Sequence, residues 1–173
     1  MAYNRNINLL GGFAMNQRKL ANLLKTVIIG AGLCAAAVYL FILPQVGLNI
    51  VEKYPEFDYA FWPWLIFLFG TALPVFAALG CAFRVAVEIG RDNSFSRINA
   101  KMLKAIAILA AADTSYFFVG NAVLFALSMN FVAIVLLSLL IVFIGFAVTV
   151  ACGALSHLIL KAAEMREENE LTI

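Results

Sequence analysis

Charged side chains are scarce in this chain. Asp, Glu, Lys and Arg make up 13% of its 173 residues and apolar residues 64%, where a globular domain carries about 25% charged and 45–50% apolar residues. That balance excludes an ordinary water-soluble domain and indicates an integral membrane protein. Histidine occurs once, at His157, which rules out a bis-histidine haem. The three cysteines, Cys34, Cys81 and Cys152, form no C-x-x-C pair and no zinc-like spacing. Neither thiol–disulfide exchange nor a structural zinc site is therefore expected. All three fall in apolar stretches and read as small packing residues. There is no Walker loop, no G-x-S-x-G elbow, no H-E-x-x-H helix and no pair of carboxylates inside an apolar stretch. With no catalytic, cofactor or metal constellation to be found, the expectation is a non-enzymatic protein without cofactors.

What is present is four long apolar runs, at about 26–43, 60–83, 105–127 and 131–160. A spanning helix needs about 20 mainly apolar residues. In lipid every backbone polar group must be satisfied within its own segment, so such runs are helices. The fold class is accordingly all-α: four transmembrane helices in a bundle. Residues 1–25 precede the bundle, 26–160 form it with a polar loop at 84–104, and 161–173 make an acidic tail. A cleavable signal peptide is the competing reading of the first run, but the run is long enough to span and no Ala-x-Ala site follows at the right distance.

The cations give the orientation. Arg5, Arg18, Lys19 and Lys25 precede the first run; Arg84, Arg91, Arg97, Lys101 and Lys104 lie in the central loop; Lys161 and Arg166 follow the last run. Four crossings put these eleven on one side and Lys53 alone on the other. The positive-inside rule then places both termini and the central loop in the cytoplasm. The cations serve topology and contact with anionic lipid, and no direct nucleic-acid binding is expected. Pro44 is expected to end the first span, and the stretch 45–59 to be an outer loop whose aromatics (Tyr54, Phe57 and Tyr59, then Trp62 and Trp64) form an interfacial belt. Pro74 lies within the second span, where it is expected to kink the helix.

Polar residues inside the runs are the expensive ones. Asp113 is about eleven residues from the cytoplasmic start of the third span, hence about 16 Å deep, near the bilayer middle. Ser115 and Asn121 accompany it, and the eight-residue spacing to Asn121 puts the two on one face. An isolated intramembrane acid is a proton or cation site, or a hydrogen-bond clasp between helices. Gly30 and Cys34 on the first helix, and Gly145, Thr149 and Gly153 on the fourth, recur every four residues and read as grooves for close helix packing, within the chain or between copies.

In the central loop, Ser96 is placed to N-cap the third helix. Phe95, Arg97, Asn99 and Lys101 surround it, and the chain closes with Glu168, Asn169, Glu170, Leu171, Thr172 and Ile173. Gly90, Phe95-Ser96, Asn99 and Leu103, together with that closing segment, resemble the bacterial membrane proteins grouped as domain of unknown function 2975. Glu170 stands where the family usually has Asp, and the first fifteen or so residues look like an extension. The resemblance implies an inner-membrane protein, often encoded beside a small helix-turn-helix regulator of the Cro/CI type. The leading expectation is a binding module whose basic loop and acidic tail engage a cytoplasmic partner. The alternatives are a small transporter or proton/cation-conducting protein using Asp113, and a structural or lipid-binding membrane homo-oligomer.

Overall fold

The computed structural model describes residues 17–170. Four helices are long and apolar enough to cross a membrane, and no strand occurs among the described residues. α1 runs Gln17–Lys53, and a 3₁₀ turn over Pro55–Ala60 leads into α2, Phe61–Gly90. α3 is Arg97–Ala126 and α4 is Val132–Glu170. The 91–96 loop and the last turns of α4 share one end of the bundle, here called the basic end. The 3₁₀ turn and the α3–α4 connection share the other, the aromatic end.

Pro44 does not end α1, contrary to the sequence expectation. The helix widens to a π-helical stretch over Val38–Ile42 and resumes as α-helix over Leu43–Lys53. Leu43 N–H donates to Val38 O, five residues back. The wider turn makes room for a ring that would clash with the carbonyl four residues earlier. Most of the expected outer loop is thus helical. α2 likewise stays helical across Pro74.

The aromatic end is pinned by rings and hydrogen bonds. Phe131 packs against Tyr54 and Phe57, with ring centroids 5.3 and 4.3 Å apart. Tyr59 Oη donates to Ser128 O at 3.0 Å. Asn130, buried, donates to Asn121 Oδ1 at 3.2 Å, and Asn121 Nδ2 donates to Phe117 O at 2.9 Å.

The helices pack in chain order: α1 on α2, α2 on α3, and α3 on α4. No extended interface joins α1 to α4 among the described residues. Without a hydrophobic drive between helices in lipid, close approach needs small residues. Gly145 receives Thr114, Gly70 receives Tyr116 and Gly120 receives Phe67, each closely enough that an added Cβ would collide. Gly90 lies against Ala21 of α1 in a looser contact, with an added Cβ 3.0 Å from that of Ala21. Within the chain, only part of the expected grooves is filled. Gly145 packs, and Thr149 Oγ1 donates to its carbonyl at 2.9 Å; but Gly30 and Gly153 have nothing within 4 Å of a built Cβ, and Cys34 is exposed.

Overpacking a filled contact costs about 1–3 kcal/mol. Gly145→Leu should therefore lower the thermal midpoint of the detergent-solubilised protein in a fluorescence unfolding assay. Gly30→Leu and Gly153→Leu should leave it within error of the parent.

Candidate functional site

The loop at the basic end is built from the last turn of α2. Glu88 Oε1 accepts from Arg91 Nη1, and its Oε2 accepts from Asn93 Nδ2, both at 3.0 Å. Arg91 N–H and Asn93 N–H close on the carbonyls of the same turn. Asp92 takes the left-handed conformation, φ 61°, tolerable for a short polar side chain, and turns the chain toward α3. Gly90 is the last helical residue, but the left-handed turn falls two residues later; a Cβ at 90 would stand 3.0 Å from that of Ala21.

Ser96 caps α3 as its sequence position implies, accepting from Asn99 N–H at 3.2 Å. Asn99 is 1% exposed. Its Nδ2 donates to Asn93 O at 3.1 Å and to Ser94 O at 2.9 Å. Asn99 is thus buried beneath the loop and holds its backbone, and it does not belong to an accessible partner surface. Phe95 stands out from the loop at 58% exposed, and Lys101 is exposed one turn on.

α4 returns to this loop. Arg97 Nε and Nη2 donate to Glu167 Oε1 and Oε2 at 3.0 and 2.7 Å, a two-point contact of the geometry guanidinium and carboxylate favour. The neighbouring carboxylate raises the Arg97 pKa above its usual value through this hydrogen bond and its charge. Both side chains are about half exposed, 54% and 51%. Lower in the same seam, Ser156 Oγ donates to Ala100 O at 2.7 Å in a buried contact. A polar groove of about 230 Å³ lies between loop and helix, lined by Phe95, Ser96, Arg97, Ala163, Arg166 and Glu167 among others. Of the tail residues singled out from sequence, Glu168 and Asn169 are exposed on the last turn of α4, and Glu170 ends that helix. Leu171, Thr172 and Ile173 lie outside the described residues. Sequence reasoning missed Glu88: its acid at the end of an apolar helix, five residues before an asparagine, was the available signal.

The second polar centre is Asp113. It sits near the middle of α3, and its Oδ1 is buried with no hydrogen-bond partner. It does not meet Asn121, which belongs to the aromatic end, about 12 Å farther along the helix at 1.5 Å per residue. Ser115 is exposed and donates to Ala111 O of its own helix. The neighbours that line a cavity with Asp113 are instead Tyr39, Thr71 and Thr114. Tyr39 Oη and Thr71 Oγ1 are 2.6 Å apart, a hydrogen bond between α1 and α2. No spacing rule on one helix brings α1 to this position.

Four apolar spans with a polar surface built at one end define a multi-pass α-helical membrane protein. The chain belongs to the family described as protein of unknown function DUF2975, whose model matches residues 46–173. The match begins inside α1, well after the expected N-terminal extension, and takes in α2, α3, α4 and the tail. The chain is also similar to the uncharacterized membrane protein YoaS of Bacillus subtilis (strain 168), at 26% identity over 152 residues, 87% of this chain and 95% of that protein. No solved structure matches.

Because a lost N-cap costs about 0.5–2 kcal/mol and each unpaired buried group about 1–3 kcal/mol, Ser96→Ala and Asn99→Ala should both destabilise the loop, Asn99→Ala more. Limited trypsinolysis at Arg91 and Arg97 in detergent should accelerate in that order. Equal rates for both variants and the parent would contradict the buried role of Asn99.

Proposed function

We propose that the basic end is a cytoplasmic docking surface, and that the protein is a membrane-anchored binding module. The observation that carries this reading is the composite surface itself. Arg97 and Glu167, seventy residues apart in sequence, meet as a two-point ion pair beside a groove, with Phe95 projecting next to it. Aromatic residues and arginine are enriched at protein interfaces, whose rims are polar. The excess of cations at this end supports its cytoplasmic placement. The family resemblance suggests a small helix-turn-helix regulator as the partner class.

The test is affinity capture from the native cell lysate on the full-length detergent-solubilised protein, with captured proteins identified by mass spectrometry. The expected result is one small DNA-binding protein, lost when residues 167–173 are deleted or when Phe95 is changed to Ala, in variants that still insert into the membrane. Arg97→Glu should weaken capture at least tenfold, and the double variant Arg97→Glu/Glu167→Arg should recover it. Capture unchanged by all of these would overturn the reading.

A further inference from the structure

The intramembrane centre is separate from that surface and carries its own inference. Asp113 borders two cavities, of about 380 Å³ and about 320 Å³. Thr114, Val75 and Gly145 border both as well. The larger is lined by residues of all four helices, including Tyr39 on α1, Thr71 on α2 and Phe117 on α3. Volumes of this order are large enough for a small organic molecule.

The chemistry of the lining narrows the ligand. Asp113 is the one ionisable acid on either cavity wall, and no Lys, Arg or His lines either of them. The remaining polar groups are hydroxyls, and the rest of the wall is hydrocarbon with the rings of Tyr39 and Phe117. A divalent metal is a poor fit. Calcium takes six to eight oxygen ligands, and no group of three His, Cys, Asp or Glu is assembled among the described residues. One carboxylate, two aromatic rings and an apolar wall are instead complementary to a single positive charge carried on an apolar body. Asp113 Oδ1 is buried and unpartnered, so it has an acceptor to offer. No extended α1–α4 interface closes that side of the cavity among the described residues.

We propose that this cavity binds an amphipathic organic monocation, with Asp113 as its counter-ion. The full chain in lipid nanodiscs would be titrated with radiolabelled tetraphenylphosphonium, and with tetraphenylborate as an anion of the same shape. Saturable binding of the cation alone is expected. Asp113→Asn should weaken it at least tenfold, and Asp113→Glu should retain it within about threefold. Val75→Phe fills the space without touching the charge, and it too should abolish binding, so the proposal does not depend on the stability of an Asp113 variant. Deleting residues 167–173 should leave cation affinity unchanged, which separates this site from the docking surface. The proposal is overturned if both ions bind alike, if Asp113→Asn binds as tightly as the parent, if Val75→Phe retains full affinity, or if the parent binds neither ion because acyl chains or a second copy of the chain fill the space.

Discussion

The α3–α4 seam sets the positions of both polar centres. Hydrocarbon surrounds these helices on their outer faces, so burying apolar side chains against one another gains little over leaving them in lipid. Two helices stay together only where backbones come close or a polar group crosses between them. The seam does both. Thr114 enters the space left by the missing side chain of Gly145, Ser156 reaches the carbonyl of Ala100, and Arg97 grips Glu167 at the end. These contacts fix the rotation of α3, and with it the direction in which Asp113 points. They also bring the last turns of α4 against the loop, which the loop's own hydrogen bonds could not do.

The treatment of polar side chains along the spans follows one economy of geometry. Thr26, Ser115, Ser138 and Thr149 each donate to a carbonyl three or four residues back on their own helix, which satisfies a hydroxyl at no cost in partners. Asp113 does not use that solution: its Oδ1 is buried without a hydrogen-bond partner. Asp113 is thereby set apart from the hydroxyls that share its cavity. It shares α3 with Arg97, while Gly145 shares α4 with Glu167. The intramembrane cavity and the proposed docking surface are therefore carried by the same two continuous helices, so a change in how α3 and α4 pack would reach both.

Much of this was legible in the residues. Run length and hydropathy identify four spans because lipid permits few alternatives. Ser96 announces a helix start because its side chain suits no other local role so well. The acidic end of the chain and the basic loop were expected on one side, and Glu167 does meet Arg97. What the sequence could not convey is which neighbour each helix face meets. Gly30, Gly145 and Gly153 look alike in a string, yet only Gly145 faces another helix closely. Asn121 looked like a companion of Asp113 by spacing and instead bonds Asn130 across a turn. Asn99 read as a surface contact and is buried, because the loop carbonyls at 93 and 94 turn inward to meet it. Pro44 read as a terminus because a π-turn, its remedy, leaves no mark in composition.

The 91–96 loop and the last turns of α4 meet as one surface at the basic end. Intramolecular cross-linking in native membranes tests this directly. In a chain whose Cys34, Cys81 and Cys152 are replaced by alanine, Arg97→Cys and Glu167→Cys would be introduced together and treated with a short bismaleimide after cleavage of the α3–α4 connection by an inserted protease site. The predicted result is that the two fragments migrate as one band after cross-linking, and as two when either cysteine is absent. Fragments that separate fully with both cysteines present and modified would contradict the account.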